Sequence, residues 1–178
     1  MTVAACLPAT CGDYNGASSR RWRSRYEDRD LPTAMQHALR ALLAPASVAL
    51  VGASERPGAI GRVVLENIRA GGFTGALHAV NPHHRRIFDA VSYATIARIG
   101  QPVDLVVIAT PAPSVHAIVD DAAAAGAKAA VLITAAPGGD PQHARTWTER
   151  IVAHSKSLGS RLVGPGAFVV ISTDIGLN

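Results

Sequence analysis

Residues 47–61 read SVALVGASERPGAIG, and this stretch decides the fold. Ser47–Val51 is a short apolar run rich in valine, set between a Pro-Ala stretch and a glycine, which is the pattern of a buried strand. The next ten residues, Gly52 to Gly61, carry three glycines and then give way to Ile60, Val63, Val64 and Ile68. Those four recur at helical spacing and predict one apolar face. A buried strand, a glycine-rich turn and a helix, in that order, open a βαβ unit.

The alternation continues outward. Leu31 to Pro45 predicts a short helix closed by Pro45, and Gly71-Gly72 ends the helix that starts near residue 60. Ala76 to Val80 predicts a second strand, stopped by Asn81-Pro82. Leu105 to Ala109 is a third strand, broken by Thr110-Pro111. A helix follows with Ser114 as its expected N-cap and an apolar face of Val115, Ile118, Val119 and Ala122. Gly126 closes it. Ala129 to Thr134 is another strand, and Ala144, Trp147, Ile151 and Leu158 mark an amphipathic helix. Arg161 to Val163 is a short last strand. Strands this continuously apolar predict a parallel sheet covered on both faces, hence an α/β doubly wound, Rossmann-like fold with the 47–51 strand central.

Composition bounds the rest. The chain has 178 residues, 48% of them hydrophobic and 17% charged, enough to bury one core. Aromatics make up only 4%, so the core must be aliphatic. No run of about 18 apolar residues occurs, which excludes a membrane-spanning helix. Residues 1–30 have no hydrophobic period and read as a poorly ordered tail, with residues 31–178 as the Rossmann-like domain. The tail has no apolar stretch of a secretory signal, and its acidic residues argue against a transit peptide. Cys6 and Cys11 read as unpaired thiols on that tail, and the chain as cytoplasmic. Net charge is +4, but Glu27, Asp28 and Asp30 interrupt the Arg cluster of residues 20–29. A nucleic-acid surface is therefore not expected.

The glycine turn carries the chemistry. Gly52 permits a sharp exit from the strand, Gly58 lets backbone N–H groups approach a phosphate, and Gly61 lets the helix pack against the sheet. Those N–H groups and the helix N-terminus would bind a pyrophosphate. A nicotinamide site usually places a carboxylate at the end of the second strand, roughly 20 residues on. Here that place is held by Asn81, then Pro82 and a basic turn with His83, His84, Arg85 and Arg86. Such a turn suits a ribose that bears an extra phosphate. NADP and coenzyme A (CoA) both carry one, at different ribose positions. The glycine spacing differs from GxGxxG, which favours coenzyme A and leaves an NADP- or NAD-binding module of an oxidoreductase or redox sensor as the alternative.

At this point the chain resembles a known family. ALLAPASVALVGASERPGAIGRVVLENIRAGGFTGALHAVNP at 41–82, PVDLVVIATPAPSV at 102–115 and GAKAAVLIT at 126–134 look like the CoA-binding domain of the NDP-forming acyl-CoA synthetases. That group includes the succinyl-CoA synthetase alpha subunit, ADP-forming acetyl-CoA synthetase and bacterial lysine acetyltransferases fused to such a domain. The resemblance implies that Gly52, Ala53, Ser54 and Pro57, with Gly58, Ala59, Ile60 and Gly61, surround the CoA phosphates. It implies that Val80, Asn81 and Pro82 border the adenosine. His83 stands where relatives often carry a Lys directed at the ribose phosphate, with Arg85 as a neighbouring cation. Ala109, Thr110 and Pro111, with Ile133 and Thr134, would line the path of the pantetheine arm. Relatives usually have Gly-Pro-Asn where this chain has Gly164-Pro165-Gly166. In the synthetases a phosphorylated His and an ATP-grasp domain lie elsewhere, and this chain stops at Asn178, where the next domain would begin. The partners implied are CoA or acyl-CoA and downstream ligase, ATP-grasp or acetyltransferase domains.

Other residues carry less. His37, His78, His116, His143 and His154 are not spaced as a metal-ligand set, and no metal is expected. Asp120-Asp121 reads as a solvated helix face, and Asp104 as a turn-ordering residue. Ser54 lies outside any GxSxG elbow. No catalytic residue is expected in this chain.

Overall fold

The computed structural model describes residues 33–167. The expected tail with Cys6 and Cys11 lies outside the described residues. Helix α1 is Thr33–Leu43, followed by β1 Ser47–Val51, α2 Ile60–Ala70 and β2 Ala76–Val80. Two short strands come next, β3 Arg86–Ile87 and β4 Ala90–Tyr93, and then a 3-10 turn at Ile96–Ile99. The second half contains β5 Leu105–Ile108, α3 Val115–Ala124, β6 Ala129–Leu132, α4 Pro141–Ser157 and β7 Arg161–Val163.

Among the described residues seven strands form one sheet in the order β3-β4-β2-β1-β5-β6-β7. All neighbours are parallel except β3 with β4. The expected doubly wound sheet is present, with β1 at its centre.

Both faces are buried because successive side chains of each strand point opposite ways. Ala49, Val51, Val106, Ile108, Ala130 and Leu132 join one core with Val115 and Val119 of α3 and Ile151 of α4. Val48, Leu50, Leu105, Val107, Ala129 and Val131 join the other with Ala41 of α1 and Leu65 and Ile68 of α2. Each fully buried Val, Leu or Ile contributes about 1.5–3 kcal/mol before conformational entropy is counted. This is how a chain so poor in aromatics stays folded.

Four local expectations need correction. The buried stripe of α2 is Gly61, Leu65 and Ile68, while Ile60 is 52% and Val63 48% exposed. Gly61 must lie beneath the turn after β1, and this rotates the helix by one position from the face read by hydrophobicity alone. Ser114 makes no side-chain cap, because a 3-10 turn at Ala112–Ser114 precedes α3 and its hydroxyl turns back to Thr110. Asp121 is not a solvated residue: its carboxylate accepts the N–H of Ile96 at 2.8 Å and so caps the 3-10 turn. Leu158, 42% exposed, lies past the end of α4 rather than on its apolar face.

The β3–β4 hairpin was not expected. Its two-residue turn holds Phe88 at φ 52, a conformation usually given to Gly or Asn. Packing offsets that backbone cost. Arg62 and Arg69 of α2 lie over the Phe88 ring at 5.4 and 5.8 Å, and Arg69 pairs with Asp89 at 3.1 Å. At the opposite end of the sheet, Asp104 behaves as expected and goes further. Its carboxylate accepts the N–H groups of Ala46 at 2.8 Å and Ser47 at 3.1 Å, joining the entries of β1 and β5.

Candidate functional site

Strand order reverses between β1 and β5, and the carboxyl ends of these strands open the crevice where such sheets bind ligands. Gly52 begins it. Its N–H donates to the Val80 carbonyl at 2.9 Å. A Cβ on Gly52 would lie 2.8 Å from the Ala109 carbonyl oxygen and 3.0 Å from the Thr110 methyl carbon. A Cβ on Gly61 would lie 1.9 Å from the Gly52 carbonyl oxygen. The exit of β1, the end of β5 and the first turn of α2 are therefore in direct contact, and glycine is what permits it.

Gly58 differs. Its φ is +77 and nothing lies within 4 Å of where a Cβ would stand. The loop is bent by conformation there, over open space. Ala59 precedes α2 without a side-chain cap. Its N–H donates to the Arg56 carbonyl, whereas among the described residues the N–H groups of Ile60 and Gly61 donate to no protein acceptor. Two unspent donors at the positive end of an 11-residue helix, beside open space, fit an anionic oxygen.

The loop is braced by its own side chains. Ser54 accepts the N–H of Arg56 at 3.1 Å, leaving its hydroxyl proton free to donate. Arg62 donates to the Glu55 carbonyl at 2.6 Å and pairs with Glu66 at 2.8 Å, so this guanidinium is committed within the protein.

Asn81 joins the loop to the turn after β2. Its side-chain N–H donates to the Ala53 carbonyl at 2.8 Å, and its side-chain oxygen accepts the N–H of His83 at 2.9 Å. Its backbone N–H donates to Tyr93 at 2.8 Å. Each end of the amide thus makes one hydrogen bond inside the protein. Val80 is buried, while Pro82, His83 and Arg85 are exposed.

A small cleft separates loop and turn, lined by Ser54, Glu55, Arg56, His84 and Ile87. His83 and Arg85 belong to the same turn but do not line it. Sequence reading missed the lining roles of Glu55, Arg56 and His84; a cation inside the glycine loop was the available signal for Arg56. The Glu55 carboxylate accepts the N–H of Phe88 and so ties the loop to the β3–β4 hairpin.

On the other side of Gly52, β5 and β6 end together. Thr134 donates its hydroxyl to the Thr110 carbonyl, and its own carbonyl accepts the N–H of Gly166 at 3.1 Å. Ala109, Ile133 and both threonines are half-buried, and Pro111 is exposed. Every residue expected at the site therefore lies along the carboxyl edge of β2, β1, β5 and β6 or at the start of α2.

His78 stands apart, on β2 beneath this edge. Burial holds its pKa below the ordinary value, its Nε2 has no partner, and its ring meets Tyr93 edge-on at 5.9 Å. Among the described residues no group of three His, Cys, Asp or Glu side chains is placed to hold a metal ion. No described helix is long and apolar enough to cross a membrane.

Comparison with known proteins adds to this geometry. A family model described as "CoA binding domain" matches residues 46–173. An ADP-forming acetate–CoA ligase II of Archaeoglobus fulgidus is 32% identical over 138 residues, covering 78% of this chain and 20% of that protein. The alpha subunit of ADP-forming acetate–CoA ligase I of Pyrococcus furiosus is 30% identical over 147 residues, covering 79% of this chain and 31% of its own length. Among solved structures, the dinucleotide-forming acetyl-coenzyme A synthetase 1 of Ca. Korarchaeum cryptofilum, in complex with phosphate and ADP, superposes with a TM-score of 0.74. It is 32% identical, covering 80% of this chain and 30% of that one. The chain thus spans less than a third of each of these relatives.

Proposed function

The chain belongs to the CoA binding domain family, and from that premise we propose that it holds CoA, or an acyl-CoA, along the carboxyl edge of β2, β1, β5 and β6. One observation carries the reading: the open bend at Gly58 beside the unspent N–H groups of Ile60 and Gly61. These amides donate to diphosphate oxygens in a position fixed before the ligand arrives, so little ordering entropy is lost on binding.

The remaining residues have distinct tasks. Ser54 offers a hydroxyl donor from the same loop. Arg56 and His84 line the adjoining cleft, and the guanidinium of Arg56, with that of Arg85 beside His83 on the turn, supplies positive charge for a ribose phosphate. Asn81 holds the loop against that turn. It is an amide bonded to the loop and the turn, not the carboxylate that usually meets the ribose diol of NAD at this place. Ala109, Thr110, Pro111, Ile133 and Thr134 border the arm that leads away from the diphosphate.

Bound CoA supplies a thiol that accepts and releases an acyl group. The chain itself positions that carrier and performs no covalent step. In this reading it is the N-terminal part of a cytoplasmic ADP-forming acyl-CoA synthetase or fused protein acetyltransferase. Acyl transfer would then be completed by a phosphohistidine and ATP-grasp domain, or by an acetyltransferase domain.

Calorimetric titration of the chain with CoA, dephospho-CoA and NADPH tests the assignment. CoA should bind more tightly than dephospho-CoA, and NADPH should give no saturable heat. Equal affinity for CoA and dephospho-CoA would remove the role of the cationic turn. Binding of NADPH alone would replace the reading with an oxidoreductase or redox-sensor module.

A further inference from the structure

Ser114 is expected only as a helix cap, yet its hydroxyl bonds to Thr110 of the candidate site. The Oγ lies 2.9 Å from the Thr110 hydroxyl oxygen and 2.8 Å from the Pro111 carbonyl oxygen. A hydroxyl has a single proton, so it cannot donate to both. If Ser114 donated to Thr110, the Pro111 contact would lack a proton, and the Thr110 proton would have no protein acceptor among the described residues. If Ser114 donates to Pro111 and accepts from Thr110, both contacts are hydrogen bonds. A peptide carbonyl can only accept, so it fixes the direction of the relay: Thr110 to Ser114 to Pro111.

Thr110 has no freedom to escape this arrangement. It is β-branched and stiff about χ1. Its methyl carbon packs at the exit of β1, 3.0 Å from where a Cβ on Gly52 would stand. Its carbonyl is taken by the Thr134 hydroxyl. With its carbonyl and its hydroxyl proton both used, half-buried Thr110 at the carboxyl end of β5 has only the lone pairs of its hydroxyl oxygen left to offer.

We infer that Ser114 is a positioning residue that sets Thr110 as an obligatory hydrogen-bond acceptor, selecting a ligand group that carries an N–H or O–H and rejecting an anion at this point of the edge. The inference rests on the CoA reading and sharpens it. The phosphates belong to the start of α2, and the part of the ligand at Thr110 is an arm with amide or hydroxyl donors. The pantetheine arm has both.

The test compares CoA with adenosine 3′,5′-bisphosphate, which lacks the arm, by calorimetry on the full 178-residue chain. Ser114→Ala frees the Thr110 hydroxyl to rotate and takes away its fixed polarity. It should weaken CoA about three- to tenfold, the worth of one ordinary hydrogen bond, and leave the bisphosphate unchanged. Ser114→Thr keeps the hydroxyl and should restore CoA affinity. Thr110→Val, which keeps the methyl contact with Gly52, should reproduce the selective loss. Equal weakening of both ligands would make Ser114 merely structural, and unchanged CoA affinity in Ser114→Ala would overturn the relay while leaving the CoA assignment standing. Failure of the unaltered chain to bind either ligand would overturn the CoA assignment and the relay together.

Discussion

Replacing Gly61 by alanine adds one methyl group at the most crowded point of the fold. That carbon would stand 1.9 Å from the Gly52 carbonyl oxygen and 2.7 Å from its carbonyl carbon. Both are backbone atoms at the exit of the central strand, so no side-chain rotation relieves the clash. The helix must lift or the turn must move. Overpacking of this kind costs about 1–3 kcal/mol and sometimes more, and the rigid neighbour places it at the upper end. For a domain of this size each kcal/mol lowers Tm by roughly 2–4 °C. Gly61→Ala should therefore lower Tm by about 10 °C in thermal unfolding followed by circular dichroism. Gly58→Ala is the matched control. Nothing crowds its added methyl group, and only the positive φ is strained, at about 1–2 kcal/mol. It should cost about 5 °C and yet weaken CoA sharply, because the methyl group occupies the space assigned to the diphosphate. A Gly61→Ala chain with unchanged Tm and CoA affinity would refute the packing of α2 on the β1 exit, and the amide cradle with it.

Three further outcomes follow from other parts of the molecule. Asn81→Asp removes the donor to the Ala53 carbonyl and sets a carboxylate against it, costing about 1–3 kcal/mol. CoA affinity measured by calorimetry should fall about tenfold with the fold retained. Asp104→Ala deletes the acceptor for Ala46 and Ser47 at the amino edge of the sheet. Denaturant unfolding should show a loss of about 2 kcal/mol, with CoA affinity per folded molecule unchanged. His78 is kept neutral by burial, with its pKa below the ordinary 6.5. The unfolded chain takes up a proton as pH falls past 6.5 and the folded chain does so only lower. Stability from this group is therefore complete above pH 6.5 and lost as pH falls toward the folded value. Thermal unfolding between pH 7.5 and 5 should show a smaller decline in His78→Phe than in the unaltered chain; parallel profiles would contradict it.

The parts of the fold legible in the sequence are those where one force dominates. Val48 to Val51, Leu105 to Ile108 and Ala129 to Leu132 are buried on both faces, so their apolar runs are unbroken and their order alone implies a doubly wound sheet. Gly52, Gly58 and Gly61 were legible because a strand, a turn and a helix in that order need them. Elsewhere contacts distant in sequence decided. Gly61 set the rotation of α2, and a scale that scores hydrophobicity gives glycine no weight. The β3–β4 hairpin rests on Arg62 and Arg69 packing against Phe88 from another element, and its turn lacks the Gly or Asn that announces such hairpins. Asp121 caps a turn 25 residues away in sequence. The lining of the cleft by Glu55, Arg56 and His84 follows from how Asn81 and Phe88 draw the loop toward the turn, a relation between segments that no local pattern encodes.

The central claim is most directly tested by amide NMR of the 18.4 kDa chain titrated with CoA. The largest shifts should fall on the N–H groups of Gly58, Ile60 and Gly61, with a second group at residues 81–85 and a third at Thr110 and Thr134, all saturating together. Shifts confined to the outer faces of α3 and α4, or saturation that leaves the amides of Ile60 and Gly61 unmoved, would contradict it.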